Sequence, residues 1–556
     1  MSGTEGAPLP TDLERSALPT DLERSALPTD LERSALPTDL ERSALPRGAA
    51  TPATSDSPAA PAGGRTVPVR PAGRTGLRTR AARLAGAAAG TASRVLGRGA
   101  GEVVAGKVVL RLAPRAVHEL AGERVAAVVS ATNGKTTTTR LLTAALAARA
   151  GGTGRGAAAR GVVSNGGGAN MRAGIVTALT SGPGDAVLEV DEMHLSGLLP
   201  ELAPRVVVLM NLSRDQLDRT AETRQLAAGW RTALAGLGAA AAQGRGVVVA
   251  NADDPLVVWA AGSAPRVVWV SVGASWTADA RSCPRCEQLL TLPGDPDDER
   301  AATAAVEGAP AGAVPGDAAP SGGWRCRSCS LSRPTPSVVL EGDVARELGP
   351  DGAPGDGHGT GGTRAPAGHP VRLALPGQAN RRNAVMAAAA ARELGLDLAS
   401  ALAAMADVGD VAGRYAWLRA EGVRFWLLLA KNPAGWVENF DVMGASDRPL
   451  LLAINALGAD GRDTSWIYDV PFERLVGRRV VVAGERAADL SLRLAVAGVE
   501  HQRVPDLREA LRAARALGAP GSGPRPGGPP AEEVDVVGNY TAFQQLRGVA
   551  ASEGSR

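Results

Sequence analysis

The sequence predicts an α/β protein in two nucleotide-fold parts, the first interrupted by a small cysteine-held insertion. Three observations lead there. From about residue 120, apolar runs of strand length alternate with alanine-rich helical stretches. The first run leads into Ala131-Thr-Asn-Gly-Lys-Thr-Thr-Thr, a strand–loop–helix passage with the composition of a phosphate loop. All four cysteines fall in two Cys-x-x-Cys pairs.

The elements follow in order. Expected strands are Val125–Ser130, Ala186–Val190, Val206–Leu212, Gly246–Asn251 and Val267–Val272, with helices such as Arg140–Arg149 and Arg224–Ala242 between them. Such alternation implies a mostly parallel sheet covered on both faces. Residues 295–323 and 343–369 break the pattern with Gly, Pro and Asp and read as flexible insertions. An alanine-rich helix, Asn383–Leu394, follows Gly377. A second α/β unit starts near Gly413, with strands Val423–Ala430, Leu450–Ile454, Arg479–Ala483 and Val534–Val537 and helices Ala487–Ala497 and Leu507–Ala516. The expected domains are a disordered tail (1–75), an ATPase domain (76–410) with its insertion at 280–332, and a Rossmann-like α/β domain (411–556). The tail holds four full copies of Leu-Pro-Thr-Asp-Leu-Glu-Arg-Ser-Ala, starting at Leu9, Leu18, Leu27 and Leu36. A proline in every copy interrupts any helix.

Composition excludes several classes. A net charge of +3 argues against a general nucleic-acid binder. No run of 18 or more apolar residues is present, so no transmembrane helix is expected. The N-terminus lacks the pattern of a signal peptide. Arg78, Arg80, Arg83, Arg94 and Arg98 lie among alanines and leucines, which fits a solvated helix face or an amphipathic helix near anionic lipid.

Lysine usage sharpens the phosphate-loop reading. The chain has 57 arginines and only three lysines, Lys107, Lys135 and Lys431. A lysine kept inside such a loop is needed as a compact point charge, since Arg is bulkier and forked. Backbone N–H groups of Thr132, Asn133, Gly134, Lys135, Thr136 and Thr137, with the helix N-terminus behind them, would cradle phosphates. The Lys135 ammonium would reach the β- and γ-phosphates, and the Thr136 hydroxyl would take Mg²⁺. Glu189 and Asp191, at period two near the end of an apolar strand, are expected to share one side. Glu189 is the expected second magnesium contact. Asn251 and Asp253, after a later strand, are candidate contacts to the base or ribose.

Cys283, Cys286, Cys326 and Cys329 offer four soft ligands in two turn-prone stretches, fitting tetrahedral Zn²⁺. With all four committed, no thiol is left to act as a glutaminase nucleophile.

Taken together these residues resemble the Mur ligase superfamily, and within it the MurT family. The resemblance is carried by the phosphate loop, Ser164-Asn-Gly-Gly-Gly-Ala-Asn-Met, Glu189-Val-Asp-Glu, Arg214-Asp-Gln-Leu-Asp-Arg, Asn251-Ala-Asp-Asp-Pro and the Cys₄ ribbon. Later matches are Gly413-Arg-Tyr, Leu429-Ala-Lys-Asn-Pro-Ala-Gly-Trp, Ala459-Asp-Gly-Arg-Asp-Thr-Ser-Trp-Ile-Tyr-Asp and Gly538-Asn-Tyr-Thr-Ala. It implies a central Mur ligase-type ATPase domain and ATP-dependent amidation of the D-glutamate α-carboxylate of lipid II. The amidation would run through an acyl phosphate, with ammonia from a GatD-like glutamine amidotransferase. It further implies a cytoplasmic heterodimer working at the inner face of the membrane, with ATP, Mg²⁺ and Zn²⁺. Asp463 aligns with the aspartate that completes the partner's Cys-His-Asp triad, and Lys431 would face the ATP cleft.

This chain departs from the family pattern at Ala131, Gly167 and Ala456, and no lysine stands where other Mur ligases hold a carbamylated one. Two other readings remain open on sequence. One is a stand-alone Mur or folylpolyglutamate-type amino-acid ligase. The other is a nucleotide-binding scaffold without catalysis.

Overall fold

In a computed structural model of the chain, the structure describes residues 76–96, 101–150, 161–214, 223–273, 276, 278–292, 323–349, 368–409, 415–444, 446–457, 460, 463–518 and 531–554. The repeat tail, the 295–323 insertion apart from its last residue, and Asp215–Asp218 therefore lie outside the described residues.

Two parallel-rich sheets carry the chemistry. The larger has nine strands, in the order β11-β10-β9-β6-β5-β4-β1-β3-β2. They are β1 (Val125–Ser130), β2 (Val162–Ser164), β3 (Asp185–Glu189), β4 (Val206–Leu209), β5 (Val247–Asn251), β6 (Val267–Ser271), β9 (Val338–Glu341), β10 (Val344–Glu347) and β11 (His369–Pro370). The short pair β7 (Leu290–Thr291) and β8 (Arg325–Cys326) forms a separate ribbon. Pairing is parallel from β2 through to β9, and β9, β10 and β11 close the edge antiparallel.

The central strands read VAAVVS, VVVL and VVVAN, and their residues are buried throughout. That is what helices on both faces require. One face packs on Trp230, Ile175 and Leu199. The other packs on Leu141, Leu142 and the alanines of the helix Gln378–Glu393. Ala387 to Ala391 are all fully buried there. Side chains this small let that helix lie close to the sheet.

The second sheet follows the order β12-β13-β17-β14-β15-β16: β12 (Tyr415–Ala420), β13 (Val423–Leu429), β14 (Leu450–Ala453), β15 (Val480–Ala483), β16 (His501–Arg503) and β17 (Glu533–Gly538). Only the β12–β13 hairpin is antiparallel. Trp436, Phe440 and Phe472 meet edge-on in its core.

The sequence-derived strands are found within a residue or so of their expected bounds. Exceptions have local causes. Val206–Leu212 stops as a strand at Leu209, because Asn211 to Ser213 turn to brace the phosphate loop. The helix read as Arg224–Ala242 breaks at Gly236 into Thr223–Ala235 and Gly238–Ala241. The two arginine-bearing segments before β1 fold as α1 (Leu77–Val95) and α2 (Glu102–Leu112), followed by α3 (Ala116–Ala121).

Candidate active site

The phosphate loop joins β1 to α4 (Lys135–Ala150). Its order in the sheet explains its place: β1 lies between β3 and β4, and the carboxyl ends of such central strands are where parallel sheets bind ligands. Gly134 has φ +86°, and a Cβ there would stand 2.6 Å from Asn383 Oδ1 and 2.8 Å from Met210 Cε. Only glycine satisfies both the backbone and the space. Ala131 adopts an ordinary negative φ, so its departure from glycine costs nothing.

Asn211 splints the loop. Its carbonyl accepts from Thr132 N–H at 3.0 Å, its Oδ1 accepts from Asn133 N–H at 2.9 Å, and its amide donates to the Asn133 carbonyl at 3.0 Å. Thr132 and Ser213 exchange a further pair of bonds. Because α4 begins at Lys135, the N–H groups of its first turn have no acceptor within the helix and are presented to a ligand. A second helix N-terminus abuts the first. Asn432 caps Pro433–Met443 through Gly435 N–H, and its Oδ1 accepts from the Asn133 amide at 3.2 Å.

Lys135 is nearly buried. Its ammonium pairs with Glu192 Oε2 at 2.6 Å and also donates to the Ala131 carbonyl. Glu189 is buried at the end of β3, and the Asn165 amide grips its backbone through both N–H and C=O at 2.8 Å. That gives the Ser164-Asn165 motif a positioning role. The expected Glu189/Asp191 pair does not form as one face. The strand ends at Glu189, and Asp191 instead caps Met193 N–H. Glu192, one residue on, is the acid brought to the lysine.

A pocket opens beside the loop. Its wall includes Asn133, Asn211, Asn251, Asp254, Trp276 and Arg382. Arg382 Nε and Ser213 Oγ, also in the wall, are buried and make no hydrogen bond among the described residues. Such donors await a polar ligand, so the site fits a nucleotide. Asp254 caps the helix Pro255–Ala261, and burial pushes its carboxyl up to about 6 despite three backbone N–H donors. Asn251 lines the pocket, whereas Asp253 stands behind the wall: it pairs with Arg333 at 2.7 Å and accepts from the N–H of the lining residue Gly273. Lys431 is exposed, and its ammonium sits 5.5 Å over the Tyr540 ring, not in this pocket.

The four cysteines converge. Their Sγ atoms all lie within 4.8 Å of one another, with Cys283–Cys329 at 3.7 Å and Cys286–Cys326 at 3.4 Å. Four sulfurs about 2.3 Å from one ion in a tetrahedron would be separated by roughly 3.8 Å, so the cluster fits Zn²⁺. Burial pushes the Cys283 thiol up to about 12. An entering ion must displace that proton, so affinity falls with acid.

Asp463 stands apart from all of this. It is exposed and accepts from Ser465 N–H at 2.8 Å, which holds its carboxyl below the usual range. It opens the 3₁₀ turn Ser465–Asp469, and Asp469 accepts from Arg214 at 3.0 Å. Arg214 also pairs with Asp279, which accepts from the Trp276 indole at 2.8 Å. A continuous chain of polar contacts thus runs from the pocket wall to the Asp463 turn.

Comparison with known proteins decides the family. The Mur ligase middle domain profile matches residues 129–287, and the MurT ligase C-terminal profile matches residues 429–543. The chain belongs to the MurT family.

Two relatives share this assignment. The chain is 28% identical over 428 residues to the subunit MurT of lipid II isoglutaminyl synthase (glutamine-hydrolyzing) from Staphylococcus aureus, covering 74% of this chain and 86% of that protein. It is 27% identical over 432 residues to the subunit of the same name from Streptococcus pneumoniae, covering 73% and 85%. The fold also matches a pseudomurein peptide ligase type C from Methanothermus fervidus, with a TM-score of 0.51 and 16% identity over 80% of this chain and 84% of that one. MurF from Acinetobacter baumannii gives 0.50 and 15% over 81% and 80%. Mur ligase membership makes this chain an ATP-dependent ligase of the Mur type.

For this MurT-family chain, sequence reasoning held Asp254 only within the Asn251-Ala-Asp-Asp-Pro segment and missed Glu192, Arg382 and Asn383. A signal existed for the last two: Gln378-Ala-Asn-Arg-Arg-Asn is an oddly polar start for an alanine helix. No helix among the described residues is long and apolar enough to cross a membrane.

Proposed function

We propose that this chain is the ATP-using subunit of a two-subunit amidating enzyme. It converts the α-carboxylate of D-glutamate in the lipid II stem peptide to the amide of D-isoglutamine. The reading rests on one observation above others. The match to the MurT C-terminal profile spans an exposed, pre-oriented Asp463, in a chain whose four cysteines are gathered in one cluster and so offer no glutaminase nucleophile.

The chemistry follows. A carboxylate is a poor electrophile. Transfer of the γ-phosphoryl group of ATP to its oxygen gives an acyl phosphate, and attack of ammonia at the carbonyl carbon expels phosphate and leaves the amide. The first-turn N–H groups of α4 and the Lys135 ammonium offset the charge on the transferring phosphoryl group. Lys135 must then leave Glu192 for the nucleotide, and Glu192 holds it ready until then. Thr136 and Glu189 would hold Mg²⁺, which would supply charge neutralisation to the phosphates. The Cys₄ lobe holds Zn²⁺ structurally. Ammonia comes from a GatD-like glutaminase, whose histidine Asp463 orients across the interface. The complex works in the cytoplasm at the inner membrane face, where lipid II presents its stem peptide.

The test is amidation of lipid II by the chain co-expressed with its candidate glutaminase, given ATP, Mg²⁺ and glutamine, with the exchange of OH for NH₂ read by mass spectrometry. Product is expected, and Lys135→Ala abolishes it with either nitrogen source. No mass change with an active glutaminase present would end this reading.

A further inference from the structure

The helix α1 is built inside out. Its buried stripe is Thr79, Ala82, Gly86, Gly90 and Ser93. Its outward stripe carries Leu77, Leu84 and Val95, which are 83%, 76% and 80% exposed, with Ala81 and Ala88 exposed between them. A solvated surface helix has the opposite arrangement, with large apolar groups inward and polar groups outward.

The inner stripe explains half of this. A Cβ at Gly86 would meet Val109 Cγ2 at 2.5 Å, and one at Gly106 on α2 would meet the Ala173 carbonyl at 1.9 Å. Close packing of α1 and α2 on the body demands small residues there. Nothing in that packing demands leucine and valine on the far side. Leu96 at the end of α1 and Val103 and Val104 on α2 are exposed as well.

Charge completes the pattern. The helix α1 contains four arginines and no acid. At 100° per residue, Arg80, Arg83 and Arg94 fall along one flank of the apolar stripe and Arg78 along the other. All four are exposed, as are Lys107 and Arg111 on α2. The acceptors seen for Arg78, Arg83 and Arg94 are neutral oxygens, those of Leu112, Thr180 and Thr91. The charge along the stripe is therefore not cancelled by those contacts.

We propose that the outward face of α1 seats this protein on an anionic phospholipid bilayer, with α1 lying in the interface plane. An apolar stripe bordered by arginines is the arrangement that immerses aliphatic side chains at the headgroup boundary while the guanidinium groups reach lipid phosphates. The inference goes beyond the amidation reading and does not depend on it, because its readout is lipid binding and not turnover.

The test is flotation of the full chain with vesicles of phosphatidylcholine alone or mixed with phosphatidylglycerol. Binding is expected to the mixed vesicles, to weaken with salt, and to fall at least about tenfold in Leu84→Asp/Val95→Asp and in Arg80→Glu/Arg83→Glu. These positions are exposed, so nucleotide-induced thermal stabilisation should persist in both variants and serves as the folding control. Equal binding by wild type and variants, or none to the mixed vesicles, overturns the proposal. So does self-association that Leu84→Asp abolishes without vesicle binding, which assigns the face to a second copy of the chain. Lipid binding with failed amidation would leave this inference standing and the amidation reading fallen.

Discussion

The loop after β1 and the turn that holds Asp463 differ in completeness. The first is closed within the chain: Asn211 splints its backbone, Asn432 meets it from the cap of the helix Pro433–Met443, and Lys135 already has Glu192. The second offers an exposed carboxylate fixed by one backbone N–H, with no histidine brought to it among the described residues. A site that finishes itself can be judged from one chain. A site finished by another chain, as proposed for Asp463, would show only as a group held ready.

Four substitutions test that contrast, from the largest expected effect downward. Lys135→Ala removes a charge from the closed site and should lower turnover on the order of 10³-fold with glutamine or ammonium alike. Retained ammonium-driven turnover would show that the loop is not the phosphoryl site. Asp463→Asn should cut glutamine-driven turnover by at least about a hundredfold and leave ammonium-driven turnover near wild type. Equal loss with both would move Asp463 into the ligase site. Gly134→Ala forces a Cβ against Asn383 and Met210, and should destabilise the chain by about 1–3 kcal/mol and erase nucleotide-induced thermal stabilisation. An unchanged melting curve with and without nucleotide would refute that reading of the loop. Arg214→Met cuts the polar chain between pocket and turn, and should lower glutamine-driven turnover a few-fold more than ammonium-driven turnover. Equal changes would deny the connection any part in coupling.

The two regions also carry carboxyl groups shifted in opposite directions. Asp254, buried in the closed site, titrates near 6, above its ordinary value, so its protonation favours the folded state. That contribution grows as pH falls through 6 and is complete below the unfolded value. Asp463 is held low, so its smaller contribution is lost as pH falls. The Asp254→Asn variant should therefore lose about 1 kcal/mol of its relative stability between pH 8 and pH 5. A pH-independent difference in denaturation midpoints would contradict the shift.

Much of the fold was legible in the sequence, for reasons visible in particular residues. Runs such as VAAVVS and VVVAN have no polar face, which only a sheet covered on both sides explains. Gly134, Lys135 and the paired cysteines carried their chemistry in their spacing. What could not be read was pairing at a distance. Nothing near Glu192 in sequence marks it as the partner of Lys135, 57 positions away. Asp253 and Asp254 are adjacent and chemically identical. Only the fold turns one to Arg333 and the other into the pocket wall. The inverted face of α1 was half visible: its arginines stand out, but the burial of glycine and threonine beneath them does not.

The cysteine lobe reaches further than its four thiols. Trp324 donates its indole N–H to the Ala252 carbonyl at 3.0 Å, and Arg333 holds Asp253. Their neighbours Asn251 and Asp254 line the pocket beside the phosphate loop. An ion that orders the lobe and a nucleotide that fills the pocket therefore act on the same four residues. Thermodynamic linkage then makes the effect mutual: whatever factor zinc adds to nucleotide affinity, nucleotide must add to zinc affinity. The ribbon would be a reporter as well as a brace, since the rate at which a chelator strips it should depend on whether the pocket is filled.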